Sequence, residues 1–348
     1  MSERTVDRLM THQPPKVSII GAGMVGSTLA YSLVVERVVG EVVLVDINHD
    51  RAEGEAKDIA HAVPFSAPTV VTSGDYEACR NSDIIVITSG VAQKPGETRL
   101  DLVGKNVDIY REIVPQVERV APDAIVVILS NPVDILTYAT LQFSSYPRAR
   151  VIGAGTILDT SRFRHELGRL CSVDPRNVHG YVIGEHGDSE VPVWSLANVA
   201  GIAVRPNCGA CAAGCTQLDL DGVFETVKNA AYDIIRLKGA TNFAVALGTT
   251  RMIEAILRDQ NTVVTASTLL LGEHGISDVC LSLPVVLGQS GLVRVLEIPL
   301  AETERRAVER SAELLKEVGR RLGLAGQAAR KSQDKNVQAD DSCAPKGG

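Results

Sequence analysis

The glycine-rich segment Gly21-x-Gly23-x-x-Gly26 is the sequence feature that most restricts how this chain can fold. It follows the apolar run Lys16–Ile20, which predicts a buried strand, and it precedes a stretch of helical character. In a strand–turn–helix unit the first glycine permits a tight turn, the second leaves room for a pyrophosphate, and the third allows close helix packing. The N–H groups at the helix start then face the anion. A turn with a purely structural purpose shares this local pattern.

An acidic residue at the end of the next predicted strand supports a dinucleotide site. Asp46 follows the apolar run 42–45 and lies twenty positions after Gly26. A carboxylate at that place accepts hydrogen bonds from ribose hydroxyls and repels a 2'-phosphate. The two features together predict NAD, rather than NADP, as the cofactor.

Short apolar segments alternate with helical patterns through the first half of the chain. This alternation predicts an α/β class, a Rossmann doubly wound parallel sheet with helices on both faces. The second half has longer helical patterns, with strand candidates only near Tyr181 and over 279–287, and predicts a mixed α+β substrate domain. We therefore expect a flexible arm over residues 1–15, an NAD-binding domain over 16–153, a catalytic domain over 154–324 and a disordered tail over 325–348.

Charge and composition exclude several classes of partner. A formal net charge of -7 argues against nucleic acid or an anionic membrane as the main partner. We find no apolar run of the roughly 20 residues that a transmembrane helix needs and no apolar core of a secretion signal. The seven cysteines do not suggest a disulfide framework in a chain of this length, so we expect a cytoplasmic protein.

A histidine between glycines is the first candidate for acid–base chemistry. His186 lies in the segment GEHGD, where glycines permit a sharp turn that presents an imidazole to a cleft. Histidine is the usual acid or base near neutral pH, although a histidine in a loop is also a common surface residue.

A carboxylate and a guanidinium open the predicted helix 159–170. Asp159 and Arg162 lie three positions apart and so share one helix face. The carboxylate can orient an imidazole while the guanidinium binds a substrate carboxylate, although Asp at a helix start also commonly serves as a cap. The polar loop from Gln93 to Arg99 follows a strand and is either a mobile lid or an ordinary surface loop.

Taken together, these segments closely resemble the L-lactate dehydrogenases of the lactate/malate dehydrogenase family, from about Lys16 to Leu324. The matching segments are GAGMVGS, AQKPGETRLDLVGKN, SNPVDILTY, GTILDTSRFR, IGEHGDSEVPVW and KGAT. Such long, ordered matches make a chance similarity untenable.

The resemblance implies a role for each matching polar residue. His186 matches the proton donor and acceptor for the substrate C2 oxygen, and Asp159 matches its partner. Arg162 matches the arginine that pairs with the substrate carboxylate, and Arg99 matches a loop arginine that polarises the C2 carbonyl. Further substrate contacts implied are Gln93, Asn131 and Thr241. The NAD contacts implied are Gly21, Gly23, Val25, Gly26, Asp46, Arg51, Tyr76, Gly90, Val91 and Asn131. A cis Asn131–Pro132 peptide bond is also implied.

The residue at position 93 bears on the choice of substrate. Malate dehydrogenases of the same family carry an arginine there, which pairs with the second carboxylate of malate. Gln93 is neutral, and an unpaired buried carboxylate costs several kcal/mol. The resemblance therefore favours pyruvate over oxaloacetate, while malate and larger 2-hydroxy acids remain the alternatives.

Two cationic positions suggest regulation. In many bacterial L-lactate dehydrogenases the residues matching Arg164 and His179 bind fructose 1,6-bisphosphate across a subunit interface. Their presence here implies an enzyme of the effector-responsive type, assembled as a homotetramer. A surface arginine and a structural histidine are the alternative.

A cysteine cluster departs from the family pattern. Cys208, Cys211 and Cys215 are closely spaced, as in some sites for soft metals. With three cysteines and no nearby histidine, a Gly/Ala-rich loop without a metal is the favoured interpretation, and we expect no metal in this protein.

Overall fold

The structure is a computed structural model that describes residues 14–91, 99–210 and 216–324. Several features singled out in the sequence lie outside the described residues: most of the N-terminal arm, Gln93, Cys211, Cys215 and the tail. The side chain of Arg99 is likewise outside the description.

Six parallel strands form the nucleotide-binding half of the main sheet. They run in the spatial order β3-β2-β1-β4-β5-β6, and every adjacent pair is parallel. This is the predicted Rossmann arrangement. The strands are β1 (Lys16–Ile20), β2 (Glu41–Val45), β3 (Val70–Ser73), β4 (Ile84–Ile87), β5 (Ile125–Ile128) and β6 (Val151–Gly153).

Helices cover both faces of the central strands, which explains the continuously apolar sequences of β4 and β5. In β4, Ile84 and Val86 enter one core while Ile85 and Ile87 enter the core on the opposite face. Successive strand residues point to opposite faces, so both sets must be apolar when both faces are covered. The helices of this half are α1 (Met24–Val35), α2 (His49–Ala62), α3 (Arg99–Val120) and α4 (Val133–Phe143).

An antiparallel ribbon from the second half extends the same sheet to nine strands. Its strands are β12 (Thr262–Leu271), β13 (Ser277–Gly288) and β14 (Gly291–Val295), and β12 pairs with β6 through Ser267 and Gly153. Most of β13 was predicted from the sequence, whereas β12, β6 and α4 were not. In β12 the apolar pattern is broken by the buried polar residues Thr265, Ser267 and Thr268.

The remaining elements build the substrate half and the frame of the candidate site. The helices are α5 (Ile157–Cys171), α6 (Gln217–Lys238), α7 (Phe243–Leu257) and α8 (Glu302–Arg321). The short strands are β7 (Val178–His179), β8 (Val182–Ile183), β9 (Val191–Pro192), β10 (Asn198–Val199) and β11 (Ile202–Ala203). In the described part of the chain, no helix is both long and apolar enough to cross a membrane.

The close approach of β6 to the ribbon predicts that Gly153 tolerates no side chain. A Cβ there would lie 2.4 Å from Thr137 Oγ1 and 2.9 Å from Ser267 Cβ. We expect Gly153→Ala to lower the free energy of unfolding by about 1–3 kcal/mol, as overpacking in a core does. Gly222→Ala is the control, because nothing lies within 4 Å of its Cβ position in α6. Thermal unfolding measures the stability of both variants. A Gly153→Ala variant as stable as Gly222→Ala would contradict this expectation.

Candidate active site

The β8–β9 hairpin presents His186 to a buried carboxylate on α5. His186 Nδ1 lies 2.5 Å from Asp159 Oδ2. Gly184, which begins the intervening loop, has φ 93° and pairs with Ser282 of β13 through both backbone hydrogen bonds. A positive φ of this kind favours glycine, so the GEHGD sequence supplies the turn that the contact needs.

The first turn of α5 is tied to the same platform. Thr156, just before the helix, donates its hydroxyl to Val182 O at 2.5 Å, and its N–H donates to Ser282 Oγ at 3.1 Å. The backbone of β8 and β13 therefore sets the position of the helix that carries Asp159. The start of α5 and the histidine loop are therefore both held by Ser282 of β13.

Asp159 also holds Arg162, so three of the predicted residues form one contiguous group. Arg162 Nη1 donates to Asp159 Oδ1 at 2.8 Å, across one helix turn. The Asp159 side chain is 3% exposed and that of Arg162 is 13% exposed. Among the described residues, Arg162 donates through Nη1 alone, which leaves its other N–H groups available for a carboxylate ligand.

The buried charges around His186 favour its protonated form. Burial lowers the pKa of His186, but the carboxylates of Asp159, Asp134 and Glu190 outweigh this and raise the pKa to about 9. Burial likewise raises the pKa of Asp159, but His186 and Arg162 reverse the shift, and the carboxyl stays ionised. Because Nδ1 is committed to Asp159, Nε2 is the nitrogen that can exchange a proton with a ligand.

Two further acidic residues belong to this environment and were missed in the sequence. Burial raises the pKa of Asp134 to about 6, and its Oδ2 accepts the His186 N–H at 2.8 Å. Burial and the charge of Asp159 raise the pKa of Glu190 to about 8, so this carboxyl is neutral at pH 7. Asp134 stands in the SNPVDILTY segment and Glu190 in the IGEHGDSEVPVW segment, but no pattern in either sequence distinguishes a buried acid from an exposed one.

The C-terminal helix α8 holds the loop that carries His186. Ser311 is fully buried; its Oγ accepts the Glu185 N–H at 2.8 Å and lies 2.9 Å from Ser189 Oγ. Glu304 accepts from both the N–H and the hydroxyl of Ser195, at 2.9 and 2.6 Å. The signal for Ser311 was available, since it lies on the apolar stripe of α8 beside Ala312.

The glycine turn between β1 and α1 has the shape that a dinucleotide requires. Gly21 has φ 112°, and a Cβ on Gly26 would lie 1.9 Å from Gly21 O. Gly23, by contrast, has open space around its Cβ position, with nothing within 4 Å. No side chain caps the start of α1. The tight turn, the open side and the uncapped N–H groups therefore fit a bound pyrophosphate.

Asp46 lies at the end of β2, against this turn. Its carboxylate accepts from Ala22 N at 2.7 Å and from Asn48 N at 2.9 Å. The side chain is thus fixed at the carboxyl edge of the sheet, where an adenosine ribose would lie in a Rossmann fold.

The remaining residues matched to NAD border the same edge. Asn106 of α3, which the sequence analysis missed, accepts from Val91 N at 2.8 Å and donates to Asn131 O at 2.9 Å. It thereby joins the segments after β4 and β5. The Asn131–Pro132 peptide bond is cis. Gly90 follows β4, Arg51 is exposed in the first turn of α2, Tyr76 is half-buried after β3, and Val25 is half-buried in the first turn of α1.

Thr241 lies in the connection between α6 and α7, close to the dinucleotide side. The adjacent Asn242 donates to Thr28 Oγ1 of α1 at 2.9 Å. This hydrogen bond anchors the connection to the helix that follows the glycine turn.

Arg164 lies on α5 and His179 lies on β7. The Arg164 guanidinium donates to Arg176 O at 3.4 Å, three residues before His179, which is exposed in β7. Cys208 is buried in the core beneath α5 and α6. Within residues 14–91, 99–210 and 216–324, no group of three or more His, Cys, Asp or Glu side chains is arranged to hold a metal.

Comparisons with known proteins cover most of the chain. Residues 15–153 match the lactate/malate dehydrogenase NAD binding domain, and residues 156–321 match the lactate/malate dehydrogenase alpha/beta C-terminal domain. An L-lactate dehydrogenase of Thermoanaerobacter sp. (strain X514) is 50% identical over 309 residues, 89% of this chain and 99% of that protein. One from Acetivibrio thermocellus is 47% identical over 89% of this chain and 98% of that protein.

Solved structures give the same result. The minor L-lactate dehydrogenase from Enterococcus mundtii, crystallised in a ligands-bound form, matches with a TM-score of 0.83 and 41% sequence identity. The match covers 87% of this chain and 97% of that one.

The contact between Gly26 and the turn predicts a specific loss of cofactor binding. Gly26→Ala pushes α1 away from Gly21, so we expect NADH binding to weaken by about tenfold or more, given an overpacking cost of about 1–3 kcal/mol. Gly54→Ala in α2 is the matched control, because its Cβ meets nothing within 4 Å. Equal NADH affinity of the two variants, measured by fluorescence titration, would refute the expectation.

Proposed function

The chain belongs to the lactate/malate dehydrogenase family, and we propose that it is an NAD-dependent L-lactate dehydrogenase. The observation that carries the proposal is the buried group of His186, Asp159 and Arg162, in which one carboxylate orients both cations. An acid–base group beside an anion-binding guanidinium is what a 2-hydroxy acid requires. The relatives named L-lactate dehydrogenase support the assignment, because they are 50% and 47% identical to this chain over nearly their full length.

In this proposal each residue of the group has a separate task. Arg162 binds the substrate carboxylate with the N–H groups that Asp159 does not use. His186 Nε2 takes the proton of the lactate hydroxyl, and Asp159 stabilises the imidazolium that results. Bound NAD supplies the hydride acceptor, at the nicotinamide ring. In the reverse direction, protonated His186 gives its proton to the C2 oxygen of pyruvate.

The pKa of His186 bears on which direction of the proposed reaction is favoured. With its pKa raised to about 9, His186 is protonated at neutral pH, which is the form that reduction of pyruvate requires. Lactate oxidation requires the neutral form and is therefore favoured as the pH rises through this pKa.

Three further residues complete the proposed substrate site. Arg99 polarises the C2 carbonyl, Asn131 contacts the same oxygen, and Thr241 lines the pocket. Their support is the resemblance of the segments that contain them, together with the position of Asn131 beside the edge that fits NAD.

Pyruvate is proposed in preference to oxaloacetate because of Gln93. A neutral side chain leaves the second carboxylate of oxaloacetate without a cation, at a cost of several kcal/mol. The names of the relatives agree with this choice. A malate or other 2-hydroxyacid dehydrogenase is the alternative function.

The deciding experiment is NADH oxidation, followed by absorbance, with pyruvate and with oxaloacetate. We expect pyruvate to have the higher kcat/KM by more than tenfold, since the unpaired carboxylate costs several kcal/mol. A preference for oxaloacetate would transfer the assignment to malate. No activity with either compound, or with longer 2-keto acids, would reject the dehydrogenase proposal.

His186→Asn tests the proposed acid–base residue in the same assay. We expect turnover to fall by about 10²–10⁴-fold, the usual contribution of a positioned acid or base, while NADH affinity stays within a factor of a few. Near-normal turnover would remove His186 from the mechanism.

A subunit interface is proposed on the faces of α1 and α7. These helices pack side by side, and they expose Tyr31 (51%), Val35 (45%), Phe243 (71%) and Leu247 (46%). A cluster of exposed large apolar side chains is typical of an association surface. This surface supports the proposed homotetramer. We also propose a cytoplasmic location, which the composition predicts.

The proposed effector site uses Arg164 and His179. Arg164 is placed near the β7 segment by its hydrogen bond to Arg176 O, and His179 is exposed nearby. Each subunit thus offers cations suited to one phosphate, and two paired subunits would offer them to both ends of fructose 1,6-bisphosphate.

This proposal predicts activation by the bisphosphate. We expect it to lower the half-saturating pyruvate concentration and to favour tetramers, and we expect Arg164→Gln with His179→Gln to abolish both effects. Arg169→Gln is the matched control, because Arg169 is on the same helix but pairs with Glu166 at 2.9 Å. Kinetics and sedimentation that do not respond to millimolar effector would rule out this regulation.

A further inference from the structure

Asp134 contacts the backbone of His186, whereas Asp159 contacts its ring. It stands in the first turn of α4, is 2% exposed, and faces both the His186 loop and β12. Its Oδ2 accepts a hydrogen bond from the backbone N–H of His186 at 2.8 Å, and its Oδ1 accepts one from the hydroxyl of Ser267 at 2.6 Å. Both carboxylate oxygens are therefore engaged by buried donors from two other parts of the fold.

Neither hydrogen bond requires a negative charge. An asparagine could accept the His186 N–H with its oxygen and donate its amide to Ser267 Oγ. A buried ionised carboxylate is costly unless a nearby positive charge compensates it. Burial raises the pKa of Asp134 only to about 6, so the carboxyl is ionised at neutral pH. The compensating charges are protonated His186 and the partial positive charge at the start of α4.

We propose that Asp134 is a positioning residue that fixes the backbone of His186 and, through its charge, favours the protonated imidazole together with Asp159. The proposal rests on the acid–base role assigned to His186 above. It adds a second buried carboxylate, from a different helix, to the one that contacts the ring.

The other carboxyl groups that face His186 act on the same imidazole, but not all of them are charged at pH 7. From α5, Asp159 contacts the ring and Arg162 offsets part of its charge. From the loop, Glu190 is neutral at pH 7, because burial and Asp159 raise its pKa to about 8; Lys228 of α6 acts on Glu190 in the opposite direction. Glu185, which precedes His186, acts on Asp134 by raising its pKa. Asp159 and Asp134 are thus the two ionised carboxylates that favour the protonated ring at pH 7, and Glu190 joins them above its own pKa of about 8.

The proposal fixes the sign of a pH effect. Removing the Asp134 charge lowers the pKa of His186, because one of the negative charges that raise it is lost. Lactate oxidation, which needs neutral His186, then reaches its plateau at a lower pH. Pyruvate reduction, which needs protonated His186, begins to decline at a lower pH.

The test is Asp134→Asn in the full chain, with kcat/KM measured against pH in both directions. We expect both profiles to move to lower pH by about one unit, the low end of what a nearby charge produces. Ser267→Ala is the matched control: it removes the hydrogen bond that lowers the pKa of Asp134 but keeps the carboxyl, so its profile should coincide with the parent near pH 9, where His186 titrates and Asp134 is ionised. NADH affinity should stay unchanged in both variants.

A second measurement needs no variant that alters Asp134. In the parent chain, NMR titration of the His186 ring, assigned with His186→Asn, should show an added inflection near pH 6, where Asp134 takes up a proton. A flat signal through that range overturns the proposal, as does an Asp134→Asn profile that loses height at every pH without moving. If the parent chain reduces no 2-keto acid, the proposed function fails instead, and the NMR inflection still reports on Asp134.

Discussion

The short contact between His186 Nδ1 and the Asp159 carboxylate is the interaction on which the rest of the site depends. It commits one ring nitrogen, leaves the other for chemistry, and requires an ionised carboxylate in a place with little water. Such a burial is tolerable only if the geometry is held firmly. Arg162 shares the charge, and Ser311 fixes the loop through the Glu185 N–H from the C-terminal helix. The same hydrogen bonds therefore stabilise the fold and position the groups proposed for catalysis.

The sheet brings together groups from three separate parts of the sequence: the start of α5, the histidine loop and the C-terminal helix. β13 pairs with Gly184 at the start of the histidine loop and, through Ser282, holds Thr156 at the start of α5. The carboxyl edge of the parallel strands places Asp46 beside the glycine turn. A ligand that joined both halves would thus meet fixed groups on each side, as preorganised binding requires.

Local chemistry explains which parts of this arrangement could be read from the sequence. The glycine turn, Asp46 and the fully apolar strands carry patterns that follow from backbone geometry and burial on two faces, and the fold of the first half was predicted from them. β12 was missed because buried hydroxyls at Thr265 and Ser267 interrupt its apolar run. Asp134 was missed for a related reason: its burial depends on donors from His186 and Ser267, which are distant in sequence. Gln93 and the side chain of Arg99 lie outside the described residues, so their roles remain predictions.

The antiparallel ribbon has a consequence for how such a chain can be divided. The junction between the two halves falls inside a single sheet, where β6 is hydrogen-bonded to β12 through Gly153 and Ser267. A nucleotide-binding half produced alone would end in an uncovered strand edge, a template for association with other chains. A chimera that exchanged halves between relatives would also have to keep Gly153, which has no side chain, packed against Ser267. Recombination of this chain is therefore constrained at a place where an alignment would suggest a convenient boundary.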